Sequence, residues 1–301
     1  MTDQSLLLTG GTGFIGTVLC RKLLQKGYDV TVLSRQSPAD VKAACGRVTP
    51  VATLDELKNA DGFTGVINLA GEGIAEKRWS EKRKQELRDS RIGLTEQLVA
   101  IVQTFQVAPE VAISGSAVGF YGDQGEKPVD EKTEPEDEFT HRLCRDWEAA
   151  AKPLESGSTR VCYSRTGLVI GRDGGFLKRM APPFKLGLGG RLGDGQQYMP
   201  WVHREDITDA LIWLLENVKA QGPYNLVSPN PVRNRTFTKA LGKQLSRPTP
   251  FPVPPFVLKI ALGEMSRLLL TGQQAYPERL LADGFQFRYA RLEDALAEAL
   301  G

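Results

Sequence analysis

Glycines at positions 10, 13 and 16 are the residues of this chain whose type and spacing best suit ligand chemistry. The stretch Leu6-Leu7-Leu8-Thr9-Gly10-Gly11-Thr12-Gly13-Phe14-Ile15-Gly16 reads as a short buried strand, a tight turn and the start of a helix. Lacking a Cβ, Gly10 makes the turn, Gly13 lets the backbone approach phosphate oxygens, and Gly16 lets helix and strand pack closely. Free N–H groups at the helix start then face an anion, helped by the positive end of the helix dipole. The same glycines would also serve as a plain tight connection in another parallel α/β protein. A second chemical signal follows at Ser34-Arg35. A site for NAD places a carboxylate near there for the ribose hydroxyls, whereas a guanidinium accepts the 2′-phosphate of NADP. NADP is therefore the expected cofactor, the alternative being that Arg35 is a solvated loop charge.

The elements that must position these residues repeat in order. Ile15, Leu19 and Leu23 share a helical face, Gly27 supplies a stop, and residues 28–33 read as a second strand, completing a βαβ unit. Further strands are expected at 48–51, 63–69, 111–113, 160–170 and 224–227, with a short helix at 54–58. Small residues at the end of the 63–69 strand, Leu69-Ala70-Gly71, would let a cofactor lie against the backbone. A polar helix N-capped by Ser80 runs to about residue 102, and another covers 140–154. A third, after Met199-Pro200-Trp201-Val202-His203, turns Ile207, Leu211, Leu214 and Leu215 inward. The polar tract 122–139 reads as a long loop able to cover a pocket. This alternation defines an α/β fold with a doubly wound parallel sheet. Past Ser228 the rhythm stops: a helix at 234–245, a stiff proline run at 248–255 and an apolar helix at 256–270 make a smaller C-terminal lobe. The expected division is residues 1–227 for the domain built on this sheet and 228–301 for the lobe, with 171–200 contributing to a substrate cleft.

Composition narrows the partners. With 38 Lys and Arg against 36 Asp and Glu, the net charge of +2 gives no field that favours nucleic acid or an anionic membrane. Cys20, Cys45, Cys144 and Cys162 are scattered without a CxxC pair, which argues against a metal site and a secreted disulfide framework. The first apolar run, residues 6–8, is too short for a signal peptide or span. A cytoplasmic protein acting on a small molecule is expected.

The motifs already quoted, with Asn68-Leu69-Ala70-Gly71-Glu72, Ser90-Arg91, Arg145-Asp146-Trp147-Glu148, Pro200-Trp201-Val202-His203 and Pro277-Glu278-Arg279-Leu280, resemble those of the extended short-chain dehydrogenase/reductases. Within that superfamily they look like the epimerase-like family of bacterial epimerase family proteins, over nearly the whole length. The resemblance implies a Rossmann-type NADP-binding core. It places cofactor contacts at the glycine loop (Gly10, Thr12, Gly13, Phe14, Ile15), Ser34, Arg35, Leu69, Ala70, Gly71, Glu86, Arg91, Ser114 and Val169.

One departure matters most. Superfamily enzymes carry Tyr-x-x-x-Lys on the helix that begins near Thr140, and the matching positions here are Thr140 and Cys144. In that pair the ammonium lowers the phenol pKa so that a proton moves as hydride does. The remaining candidates are Ser116, as hydrogen-bond donor to a substrate oxygen, and Tyr121, as acid or base, with His141 a weaker third. Tyr121 reads equally well as a packing residue, and His141 as a surface one. Two functions are consistent with this. One is an NADP-dependent oxidoreductase or epimerase acting on a small polar, sugar-nucleotide-like substrate through a non-standard proton relay. The other is an NADP(H)-binding sensor that has lost turnover.

Overall fold

The computed structural model describes residues 4–58 and 60–301. Its main sheet contains seven strands, β1 (Ser5–Thr9), β2 (Asp29–Leu33), β3 (Thr49–Val51), β4 (Gly65–Asn68), β5 (Val111–Ala117), β6 (Arg160–Thr166) and β7 (Gly222–Leu226), in the spatial order β3-β2-β1-β4-β5-β6-β7. Every pairing is parallel. The order reverses between β1 and β4, the point at which α/β sheets open a crevice at their carboxyl ends. Register makes the crevice sharp: Thr9 lies opposite both Leu33 and Asn68, so β1, β2 and β4 finish level. Gly10, Ser34 and Leu69, the next residue of each strand, therefore meet.

Helices α1 (Gly16–Gln25), α2 (Pro38–Cys45), α3 (Glu81–Arg88), α4 (Leu94–Val102), α5 (Phe139–Ala151), α6 (Gly175–Lys185), α7 (Arg204–Glu216) and α8 (Asn234–Gln244) surround the sheet and its lobe. Alternation along β1 divides the core in two: Leu6 and Leu8 pack with Leu19 and Leu23 of α1 and Leu211 of α7, while Leu7 packs with Leu98 and Val102 of α4. All three leucines are fully buried, and truncating any one to alanine costs about 2–5 kcal/mol. A third core joins Trp201, Phe237 of α8 and Leu296 of the helix Leu292–Leu300. Leu280 and Phe285 lie apart from this third core and belong to the first one, where the Phe285 ring meets Trp213 edge-on.

Several expected elements are redrawn. The strand expected over 160–170 is two strands, β6 and Leu168–Ile170, and the second leaves the sheet to pair with Trp201–His203. The break is Gly167, where a Cβ would lie 2.2 Å from the Pro200 carbonyl oxygen. The helix expected over 256–270 stops at Leu262 because Gly263, at φ +60°, turns the chain before a further short helix, Arg267–Leu270. Between α3 and α4 the single expected helix contains a π-helical turn, Asp89–Gly93. Ser80 does cap α3, accepting from the Arg83 N–H. Helix α6 breaks the sequence rule by carrying Pro182 and Pro183 inside it. The 122–139 tract is anchored by Pro128–Val129, which pairs with Gln274–Ala275 from the lobe.

Candidate functional site

At the carboxyl ends of β1, β2 and β4 lies a cleft of about 950 Å³ whose lining includes Gly10, Thr12, Gly13, Ser34, Arg35, Leu69, Ala70 and Gly71. Sequence requires its shape. Gly10 sits at φ +72°, and a Cβ there would lie 2.7 Å from the Leu69 carbonyl carbon and oxygen. At Gly16 a Cβ would fall 2.2 Å from the Gly10 carbonyl oxygen, so α1 starts as close to the loop as a backbone allows. From below, the buried thiols of Cys45 and Cys20 donate to the Gly11 carbonyl at 3.3 and 4.0 Å. Burial pushes both thiols upward, which keeps them protonated donors.

A buried chain of hydrogen bonds, invisible to sequence reasoning, sets the Leu69-Ala70 edge. Thr9 Oγ1 donates to Asn68 Oδ1 at 2.6 Å and accepts from the Ala70 N–H at 3.3 Å. Asn68 Nδ2 donates to Thr95 Oγ1 at 2.8 Å, and Trp147 Nε1 donates to the same oxygen at 3.1 Å. Thr95 in turn donates to the Arg91 carbonyl inside the π-helical turn. Each polar group is used, so the network fixes one geometry.

The charges divide clearly. Arg35 extends into solvent at the rim of the cleft, 95% exposed, with only a 3.8 Å approach to Glu72. Arg91 lies beneath Gly71, donates to the Glu72 carbonyl at 2.7 Å and stacks 5.3 Å over Trp147. Burial lowers its pKa. Glu86 pairs with the buried Arg83 on α3 at 3.0 Å. Neither Arg91 nor Glu86 lines the cleft. Phe14 points from the loop toward the lobe, where Gly171, Gly174 and Gly175 leave room for its ring and the Arg204 guanidinium stacks 4.6 Å above it. Ile15 is half-buried against the first core, and the Val169 carbonyl closes on Gly175.

At the other end of the crevice a second cavity, of about 220 Å³, lies between β5, α5 and the lobe. Thr140 and Cys144 both line it. Thr140 Oγ1 donates to Glu138 Oε1 at 2.8 Å. Burial, with Glu148 nearby, pushes the Cys144 thiol up to about 12, so it stays protonated at neutral pH. Ser116 and Tyr121 do not line this cavity. Ser116 Oγ donates to Glu148 Oε1 at 2.6 Å, and Glu148 receives both Arg165 Nε and Nη2 at 2.9 Å. Tyr121, fully buried, donates to Asn225 Oδ1 at 2.7 Å and accepts from Arg165 at 3.0 Å. Burial pushes its phenol up to about 12. Both side chains belong to one internal network around Arg165, which also stacks 3.4 Å over Phe120. Ser114 is buried on β5, and His141 Nδ1 sits 2.7 Å from the Phe120 carbonyl rather than at the surface. His203 caps α7, accepting from the Glu205 N–H at Nδ1, while Nε2 lies 2.9 Å from Glu298. Among the described residues no His, Cys, Asp and Glu gather into a metal-holding group, and all four cysteines are free.

A level-ended parallel sheet with a glycine loop at its point of reversal defines a dinucleotide-binding protein of the Rossmann type. The chain belongs to the NAD dependent epimerase/dehydratase family, which matches residues 6–227; residues 253–299 match a domain of unknown function, DUF1731. It is 39% identical over 305 residues to an epimerase family protein of Mycobacterium tuberculosis, covering 99% of this chain and 98% of the relative. A chloroplastic epimerase family protein SDR39U1 homolog of Arabidopsis thaliana is 36% identical over 301 residues, covering 98% and 86%. The crystal structure of human epimerase family protein SDR39U1 with NADPH superposes with a TM-score of 0.90 at 34% identity, covering 98% of each chain. No helix among the described residues is long and apolar enough to cross a membrane.

Proposed function

We propose that this protein binds NADP(H) and acts as an epimerase-like oxidoreductase on a small molecule, by a proton route that does not use a Tyr-x-x-x-Lys pair. The observation that carries the cofactor reading is Arg35: a solvent-reaching guanidinium beside Ser34, at the rim of the cleft, where an NAD site would hold a carboxylate. The human relative in complex with NADPH supports it. The cradle fits a pyrophosphate, because the loop turns at Gly10 against the Leu69 carbonyl and α1 starts at Gly16 against the Gly10 carbonyl, closer than any side chain would allow, which brings the helix N-terminus up to the cleft. Gly10 to Ile15 would hold the diphosphate, Ser34 and Arg35 the 2′-phosphate, and Leu69 to Gly71 the adenosine side. When bound, the cofactor supplies hydride exchange.

The chain's own residues then have to manage one proton. Cys144 stays protonated, Ser116 is committed to Glu148 and Tyr121 to Arg165 and Asn225. Of the cavity-lining groups, Glu138 is the carboxylate linked to a hydroxyl, Thr140. In this reading, as an alcohol is oxidised its O–H proton passes to Thr140 Oγ1 while the Thr140 proton moves to Glu138 Oε1, and carbonyl reduction runs the same transfer backwards from the protonated carboxyl; Ser116 and Tyr121 position α5 and β5 from within. The weakly acidic hydroxyl at position 140 favours a second reading, a binding protein that reports NADP(H) occupancy with little turnover.

Calorimetric titration tests the cofactor assignment that both readings share. A charge-assisted phosphate contact is worth about 1.5–3 kcal/mol, so NADPH should bind at least about tenfold tighter than NADH. Equal affinities would sink the cofactor assignment. Stopped-flow oxidation of bound NADPH by a panel of carbonyl compounds distinguishes the enzyme, which oxidises it, from the sensor, which does not.

A further inference from the structure

The cavity beside Thr140 and Cys144 differs sharply in character from the cofactor cleft. Its wall is made by Ile74, Trp79, Phe139, Leu168, Phe176 and Met199, among other apolar residues. The amides on its lining are spent on the protein: Gln197 Nε2 donates to the Leu192 and Leu269 carbonyls, Gln273 Nε2 to the Gly122 carbonyl, and Asn234 Oδ1 accepts from the Leu192 N–H. Its charged side chains are Glu138, Glu264 and Arg267, a net charge of −1. Arg267 is held by Glu138 at 2.6 and 2.9 Å, and Glu264 by Lys84 at 2.7 Å.

A nucleoside diphosphate fits none of this. Its two negative charges need unpaired cations or free N–H groups, and the lining offers one arginine already paired to a carboxylate. Nor does about 220 Å³ leave room for a sugar nucleotide beside the reacting end of a dinucleotide. Apolar walls with a single hydroxyl-carboxylate point are instead the pattern that holds a compact neutral molecule by its hydrocarbon surface and orients one oxygen. We propose that the substrate of this site is a compact, uncharged and largely apolar alcohol or its carbonyl partner, the alcohol O–H donating to Thr140 Oγ1, whose own proton goes to Glu138, and that sugar nucleotides are excluded by the Glu138–Arg267 pair and the cavity's size. The polar, sugar-nucleotide-like substrate suggested by family resemblance is thereby replaced. This assignment rests on the cofactor reading above, since it needs a dinucleotide at the neighbouring cleft.

The test uses full-length protein labelled with 13C at the methionine methyl groups, saturated with NADPH, whose binding is first measured separately by calorimetry. Met199 lines the cavity, whereas Met180 and Met265 do not. Titration with 2-decalone should move the Met199 resonance saturably and leave Met180 in place; UDP-glucose should need at least a tenfold higher concentration for any shift of Met199. Replacing Leu268, on the same wall, by tryptophan should weaken 2-decalone at least tenfold while NADPH affinity stays within twofold. UDP-glucose moving Met199 at an equal or lower concentration than 2-decalone would overturn the proposal, as would a 2-decalone titration that leaves Met199 unmoved. The labelled wild-type titration stands on its own if Leu268→Trp fails to fold. Absence of NADPH binding in the calorimeter would refute the cofactor reading instead, and is visible before any probe is added.

Discussion

Replacing Glu148 by alanine should show that the Ser116–Glu148–Arg165–Tyr121 cluster holds the fold rather than performs the reaction. Glu148 receives three donors, one from Ser116 at 2.6 Å and two from Arg165 at 2.9 Å. Its side chain is 12% exposed and that of Arg165 only 5%. Burial opposes the Arg165 charge, but the two hydrogen bonds to Glu148 more than offset it and hold the guanidinium above its ordinary pKa. With Glu148 gone, a buried cation keeps only the Tyr121 hydroxyl at 3.0 Å, the Glu131 carbonyl at 3.5 Å and the ring of Phe120. Removing one partner of such a pair costs about 3–5 kcal/mol, whereas replacing both by apolar groups costs much less. At about 2 °C per kcal/mol for a chain of this size, the Tm should fall by roughly 6–10 °C. Urea unfolding of Glu148→Ala, Arg165→Met and the double Glu148→Ala, Arg165→Met variant measures the coupling directly. The double variant should recover at least half of the loss, and NADPH affinity should stay within about threefold in all three because the phosphate contacts lie elsewhere. A single-variant loss under about 1 kcal/mol, or a double-variant cost equal to the sum of the singles, would refute the reasoning.

Three further outcomes are expected. Arg35→Ala should weaken NADPH by roughly tenfold to hundredfold and NADH by less than about twofold, with Tm unchanged because Arg35 is almost wholly exposed; calorimetry and a thermal melt check both halves. Gly16→Ala should displace the loop, since its Cβ would meet the Gly10 carbonyl oxygen at 2.2 Å, so dinucleotide binding should fall at least about tenfold while far-ultraviolet circular dichroism keeps the helical signal. Burial lowers the pKa of His203 despite its contact with Glu298. The unfolded chain therefore takes up the proton first, so His203 makes stability fall as pH drops below about 6.5, by at most about 1.4 kcal/mol per pH unit, and adds nothing to the slope well above that. Urea unfolding between pH 5 and pH 8 should show a flatter acid limb for His203→Gln than for the unmodified protein, and equal limbs would remove His203 from the account.

How much of this was legible depended on the range of each interaction. The βαβ unit, the glycine turn and Arg35 are local: their residues are close in sequence, and each carries its own geometric requirement. The inward face of α7 was legible for the same reason, Ile207, Leu211, Leu214 and Leu215 all being buried. Helix α6 was not, because Pro182 and Pro183 argue against helix and only packing of Leu177 and Phe184 into the third core overrides them. The split between β6 and Leu168–Ile170 depends on the distant Pro200 carbonyl. In the site, Ser116 and Tyr121 read as free donors because nothing near them in sequence names their partners; Glu148 and Asn225 lie 32 and 104 residues further on. The hydroxyl-carboxylate pair of Thr140 and Glu138 is only two residues apart, but nothing in the sequence sets Glu138, the residue before α5, apart from the acidic residues around it.

The placement of Leu280 and Phe285 bears on the order in which the protein can be made. Both sit in the core that also holds Leu6, Leu19 and Val30. During synthesis the glycine loop, α1 and β2 emerge well before the lobe and find their strand neighbours early, yet the apolar surface that Phe285 covers stays open until some two hundred and fifty further residues have followed. Contacts of such separation form slowly, because the intervening chain must close a long loop before it gains anything. The core that carries the dinucleotide cradle is therefore begun by β1 and α1 and completed by residues some two hundred and fifty positions later, leaving the nascent chain with an exposed apolar flank in between.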